Sequence, residues 1–329
     1  MSKSPLILEI AEERHRSWFQ ACAQVAQTLP ENPQWNAKNF YGIVGDLKEK
    51  NAGELRQYFE KRPGLAWKLS KLYLTEGIAQ GEGYQSCAAL SFSTFLTQQK
   101  LLNPKDLVCD IGTGVGTIPG ALGLVNAHGF DRIPEFLEVC RRLDEKLEKS
   151  DNRYWCQDIF DPWQTSSLYE HLILGLVLHQ FQHASQFSHF FTQTFSHLTD
   201  QGSLWITLPS NTIASSSRFF EFLEAFENNG FQPVLEHCGL VRSQDETEAL
   251  FWMFLFRFQK KNAFSRSDQK FPSMEVFKQK ESRAHKRERI RLSVFSPTAV
   301  RHQRFCFFPA SLLQGYSEEF NYFGVKKIL

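Results

Sequence analysis

Between residues 101 and 260 the chain alternates short apolar runs with amphipathic stretches. Leu107-Val108-Cys109-Asp110 reads as a buried strand that ends at a glycine-rich turn. Val125 to Phe130, Arg153 to Gln157, His171 to Val177 and Ser203 to Leu208 follow as strands. Pro233-Val234-Leu235 and Leu250 to Phe256 supply two more. Helical spacing lies between them, over Ile118 to Leu124, from Pro134 onward, over Phe187 to Leu198, and over Ser217 to Asn228 with Gly230 as its cap. Pro134 and Glu135 in the second of these suit a first helical turn. Strands alternating with helices predict an α/β domain built on a mostly parallel sheet.

The flanks differ. Residues 1–100 read mostly as helix: Leu55 to Glu60 and Leu65 to Leu72 place apolar residues three and four apart, and Pro30, Pro33 and Pro63 punctuate them. Residues 261–329 are basic and then aromatic. From Arg257 to Leu329 there are sixteen Lys or Arg against six Asp or Glu, so a net charge of +1 hides a basic end and an acidic remainder. The expected organisation is a helical N-terminal lid or substrate region (1–100), a ligand-binding domain (101–260) and an accessory extension (261–329).

Composition excludes several classes. No apolar stretch is long enough to span a membrane, and Leu6 to Ile10 is too short, with Glu12 and Glu13 too close behind it, for a secretion signal. The seven cysteines are scattered and never spaced as C-x-x-C, which argues against a disulfide framework and fits a cytoplasmic location. The 31 phenylalanines supply large apolar side chains for a core.

The chemistry gathers at Asp110-Ile111-Gly112-Thr113-Gly114-Val115-Gly116. Glycines after a strand let the backbone approach a bulky ligand and adopt positive φ. The carboxyl end of such a strand opens on the crevice where α/β sheets bind ligands. The alternating glycines differ from the G-x-G-x-x-G spacing of dinucleotide folds. A nicotinamide or flavin domain remains the competing reading, because Asp131 stands about 20 residues on, where such folds place a ribose acid.

This segment resembles the first motif of class I S-adenosylmethionine (SAM)-dependent methyltransferases, and the resemblance covers roughly residues 101–260. It implies a Rossmann-like sheet of seven mostly parallel strands, the last two forming a hairpin. It also implies that Asp110, Gly112, Thr113, Gly114 and Gly116 hold the amino-acid end of SAM. Asp131 then takes the ribose hydroxyls and Asp158 the adenine amino group, with Ile133 and Ile159 as apolar contacts. Tyr84 and Gln85, before the first strand, fall where relatives close a helix over the cofactor. An Asp that the family often has at the start of strand four is replaced here by Tyr169-Glu170-His171.

The segment after strand four, Gly175-Leu176-Val177-Leu178-His179-Gln180-Phe181, lacks the Asn-Pro-Pro-aromatic and Pro-Cys patterns of base-methylating enzymes. It resembles the Leu-His stretch of small-molecule methyltransferases. His179 is the candidate general base, although transfer by proximity alone needs none. His179 and His183 have no third ligand at metal spacing, so no metal is expected. The basic run Lys278 to Arg291 fits either a solvated face or a surface for RNA or protein. The function expected is methyl transfer from SAM to an O, N or C atom of a small molecule. The alternatives are RNA or protein methylation through 278–291, or a non-catalytic SAM-binding scaffold.

Overall fold

The computed structural model describes residues 6–9, 12–30, 52–79, 84–149, 151–178, 181, 184–209, 222, 225–243, 252–261 and 304–309. The apolar run expected as the first strand of the domain is β2 (Val108–Ile111), buried along its whole length. It pairs in parallel with β3 (Ala127–Asp131) on one side and with β5 (Tyr169–Gly175) on the other. β4 (Arg153–Cys156) continues the parallel ladder beyond β3, and β6 (Leu198–Pro209) continues it beyond β5. The chain thus moves outward in both directions from β2, which creates a crevice between the carboxyl ends of β2 and β5.

The remaining strands are antiparallel. β9 (Trp252–Lys260) lies against β6, and β7 (Phe231–Pro233) and β8 (Gly239–Ser243) lie end to end along the far edge of β9. A 3-10 turn over Leu235–His237 separates those two pieces, so of the strand expected at Pro233-Val234-Leu235 only Pro233 is in a strand, and β8 lies beyond it. The sheet then extends beyond the seven strands expected. β10 (Arg304–Pro309) pairs with β8, and β1 (Leu6–Glu9) pairs with β10. The full order is β1-β10-β8-β9-β6-β5-β2-β3-β4, with ten strands among the described residues. The sheet is therefore mostly parallel only from β4 to β6. Residues 6–9 were expected at the edge of a helical region, and 304–309 in an aromatic extension; both are sheet edge.

Side chains alternate across the strands, as the pleat requires. Val108, Ile173, Trp205 and Leu255 face one core, while Cys109, Leu172, Leu174, Leu204, Phe254 and Phe256 face the other. The second core explains much of the phenylalanine usage. Phe254, Phe256 and Phe258 stack along β9, and Phe191, Phe222 and Phe226 pack edge-on or tilted nearby.

The first core is covered by α4 (Tyr84–Gln98), α5 (Thr117–Leu122) and α6 (Pro134–Lys146). The second is covered by α7 (Ala184–His197). Upstream, α1 (Glu12–Thr28) and α3 (Leu65–Ala79) pack on one another and on α6, with α2 (Ala52–Glu60) between them in sequence. Trp18 of α1 lies directly over Gly120 of α5, where a Cβ would collide with its indole. Among the described residues no helix is long and apolar enough to cross a membrane.

Candidate functional site

Chain direction changes abruptly after Ile111. Gly112, Gly114 and Gly116 all have positive φ, at 71°, 54° and 74°, a region that other residues enter only under strain. Gly112 and Thr113 donate their amides to the Phe130 carbonyl at 2.9 and 3.1 Å, which ties the loop to the neighbouring strand. The Thr113 hydroxyl donates to Asp110 at 2.8 Å. Asp110 itself is 2% exposed. Burial pushes its carboxyl up to about 7, the Thr113 hydroxyl pulls the other way, and the Asp131 charge adds to the rise. Asp110 thus acts as the internal brace of the loop.

Asp131 ends β3 and is similarly braced. One carboxylate oxygen accepts the Gly114 amide at 3.0 Å and the other accepts the Ile133 amide at 3.0 Å. Burial raises this carboxyl, and the two amide hydrogen bonds oppose the rise. Beneath the loop, the Cys140 thiol of α6 donates to the Gly114 carbonyl at 3.3 Å. The same thiol lies 3.1 Å from where a Cβ on Gly116 would stand. A Cβ on Gly129 of β3 would stand 3.0 Å from Tyr154 and 3.1 Å from Thr113, so the floor is closely packed. Above Gly114, in contrast, an added Cβ would meet nothing within 4 Å among the described residues. The loop is held from below and open above, the form of a cradle for a ligand.

Asp158 follows β4 and accepts the Phe160 amide at 3.0 Å, which closes a tight Asx turn. Ile159 is 8% exposed and packs in the second core; Ile133 is partly buried against the first. Arg132, between the two acids in sequence, feels both carboxylates, while burial weakens its hold on its proton. Asp110, Asp131 and Asp158 and the three glycines therefore gather at the carboxyl ends of β2, β3 and β4. The side chains of Tyr84 and Gln85 lie outside the described residues, as do His179, His183 and the basic run 278–291.

On the β5 side, Gly175 ends the strand with no space for a Cβ, because Ile118 of α5 fills it. Leu176 then turns off the sheet with φ of 57°. Val177 follows, and a Cβ on Gly112 would stand 2.7 Å from its Cγ2. Leu178 is buried. In place of the expected acid at the start of β5, Glu170 accepts the Leu107 amide at 2.7 Å and His171 faces Asp106 at 3.3 Å, a structural role at the far end of the sheet. Arg132, Cys140, Val177 and Thr207 were not legible as site residues. Cys140 and Val177 meet the glycine loop from elsewhere in the chain, Thr207 holds Leu176 beside it, and Arg132 feels the charges of Asp131 and Asp158; none carries a local motif. Among the described residues, no three His, Cys, Asp or Glu side chains are placed to share a metal ion.

No protein-family model matches the chain, and no curated protein matches it. Solved structures do resemble it. The magnesium protoporphyrin IX methyltransferase of Synechocystis PCC 6803, crystallised with S-adenosylhomocysteine (SAH), is 18% identical. That match covers 64% of this chain and 100% of the other, with a TM-score of 0.47. A putative RNA methyltransferase from Pyrococcus horikoshii is 17% identical over 53% of this chain and 84% of that one, with a TM-score of 0.41. A SAM-dependent methyltransferase from Clostridium acetobutylicum is 10% identical over 52% and 91%, with a TM-score of 0.43. All three likenesses are distant, and the α/β, Rossmann-like character of the chain rests on its own strand order.

Proposed function

We infer that this chain, whose sheet is parallel from β4 to β6 and turns antiparallel at β9, is a class I SAM-dependent methyltransferase. The observation that carries the reading is the glycine loop at the switch point between β2 and β5. It is braced from below by Asp110 and Cys140, tied sideways to Asp131, and open above Gly114. A ligand with a nucleoside at one end and an amino acid at the other suits such a loop with two flanking acids.

In this reading Asp110, Gly112, Thr113, Gly114 and Gly116 surround the methionyl end, joined by Gln85 from the start of α4. Asp131 takes the ribose hydroxyls on its remaining lone pairs. Asp158, Ile133 and Ile159 border the adenine. Bound SAM supplies a methyl group on a sulfonium, open to attack by a nucleophile. The protein holds the acceptor in line with that methyl group and excludes water. His179, three residues beyond the Leu176 turn, removes the acceptor proton where one must leave.

For the acceptor we favour a small molecule, on the Leu178-His179 segment and its lack of base-methylating motifs. A cytoplasmic location fits the free thiols Cys22, Cys109, Cys140, Cys156 and Cys238. The test has two steps. Calorimetry with SAM, SAH and NADH is expected to show binding of the first two; tight NADH binding alone would refute the reading. A radiolabelled methyl-transfer assay on cell extract, fractionated into small molecules, RNA and protein, is then expected to place the label in the small-molecule fraction. Label in RNA or protein would move the acceptor to the basic run 278–291, and SAM binding without transfer would indicate a scaffold.

A further inference from the structure

Three described non-glycine residues have positive φ: Lys100, Glu148 and Leu176. Lys100 and Glu148 follow the helices α4 and α6, where a left-handed residue closes a last turn at little consequence. Leu176 differs, because it follows a strand. Leucine has no side-chain hydrogen bond to offset the clash between its Cβ and the backbone, so the conformation persists only if its surroundings impose it.

The surroundings are on β6. Thr207 pairs with Gly175, and the Leu176 amide donates to both oxygens of Thr207, the carbonyl at 3.0 Å and the hydroxyl at 3.2 Å. Thr207 is 1% exposed, so these bonds are shielded from water. Gly175 is held on its other side by Ile118. The turn at Leu176 then sets Val177 against Gly112, close enough that Gly112 tolerates no side chain. A strained leucine, a buried threonine and a valine wedge thus connect β6 to the first residue of the glycine loop.

We propose that Thr207 is a positioning residue for the cofactor loop: by holding Leu176 left-handed it seats Val177 on Gly112 and fixes the loop's methionyl-binding conformation. The same turn registers the acceptor side of the site, which begins at Leu178, to that loop. The inference rests on the SAM-binding reading above. It assigns to the far side of β5 a share in cofactor affinity that no ligand-facing residue there carries.

The test uses SAH, which fills the whole site, and 5′-deoxy-5′-methylthioadenosine, which lacks the amino-acid end. Thr207→Val keeps the shape but removes the hydroxyl acceptor and puts a methyl group against the Leu176 amide. It is expected to weaken SAH binding by about fivefold or more while leaving methylthioadenosine within about twofold. Thr207→Ser keeps the acceptor and is expected to bind SAH like the wild type. Leu176→Gly relieves the strain that Thr207 imposes. Combined with Thr207→Val, it is expected to lose less SAH affinity than the two single effects multiplied together, the mark of coupled residues. Should Thr207→Val fail to fold by circular dichroism, Val177→Ala removes the wedge itself and is expected to show the same split between the two ligands. Unchanged SAH affinity in the folded variant, or equal losses for both ligands, would overturn the proposal while leaving SAM binding intact. Wild-type protein that binds neither ligand would overturn both.

Discussion

The Asp131 carboxylate accepts the Gly114 amide at 3.0 Å, so the acid that ends one strand holds the loop that leaves its neighbour. Its second oxygen is engaged by the Ile133 amide. A carboxylate offers about four acceptor positions, which leaves room for two ribose hydroxyls. In a SAM site built this way the nucleoside and methionyl ends share one residue, and filling either end steadies the other.

Asp131→Ala should therefore do more than delete a ribose contact. Hydrogen bonds to a charged partner contribute about 1.5–3 kcal/mol each, so losing even one is expected to lower SAH affinity by roughly tenfold to a hundredfold, and losing both by more. Asp131→Asn, which keeps one acceptor oxygen, should fall between this variant and the wild type. Calorimetry decides the matter, and unchanged affinity in folded Asp131→Ala would remove Asp131 from the site.

Gly112 and Gly114 should respond differently to a side chain. Both have positive φ, which costs a non-glycine residue roughly 1–2 kcal/mol. At Gly112 the new Cβ also meets Val177, whereas at Gly114 it meets none of the described residues. Gly114→Val is expected to abolish SAH binding with a modest drop in thermal midpoint. Gly112→Val is expected to lose both binding and much of its stability. A Gly114→Val protein that binds SAH normally would show that the space above Gly114 is not the ligand's.

The pH dependence of stability separates a buried group from a half-buried one. Asp110, raised by burial to about 7, binds its proton more tightly folded than unfolded, where a carboxyl titrates near ~3.9. Its contribution is full below about pH 4 and is lost as pH rises toward 7. His237 is pushed down to about 4, chiefly by burial and then by Arg257, whose guanidinium lies 2.7 Å from its Nδ1. Its contribution is present above the ordinary histidine range of about 6.5 and is lost as pH falls toward 4. The two oppose each other in that window. Relative to wild type, the stability of Asp110→Asn should rise more steeply with pH between about 4 and 6.5, and that of His237→Gln should fall. Thermal melts at a series of pH values check both signs.

The basic run offers a test of the acceptor. Exchange of Lys286, Arg287, Arg289 and Arg291 for Ser is expected to leave SAH affinity and small-molecule methylation intact. If the run instead binds single-stranded RNA, the salt slope of log affinity should flatten by about 0.7 for each phosphate that the variant no longer neutralises. A tight RNA complex at physiological salt that depends on these four residues would make RNA the leading acceptor.

Much of the domain was legible because its strands announce themselves. The strand ending at Asp110 runs into three alternating glycines, and Asp131 and Asp158 each close an apolar run, so the loop and its acids could be placed from local pattern alone. β1 and β10 were not. Four residues at Leu6–Glu9 and six at Arg304–Pro309 are too short for a periodicity to declare itself, and each becomes a strand only through the other and through β8. β8 was hidden by the 3-10 turn that breaks its run from β7. Leu176 escaped notice because leucine carries no turn signal; its conformation is imposed by Thr207, 31 residues on. What local chemistry decides was readable, and what partners far along the chain impose was not.

The pairing of β1 with β10 has a consequence for biogenesis. β10 sits between β1 and β8 in the sheet, yet it leaves the ribosome roughly three hundred residues after β1, on the order of tens of seconds later at about 5–20 residues per second. The glycine loop and the parallel strands can assemble long before that. Throughout the interval β1 lacks its strand partner, and only its packing against α4 and the first core can hold Leu6 and Leu8. Seating β10 beside β1 is a closure with very long sequence separation and a correspondingly slow step.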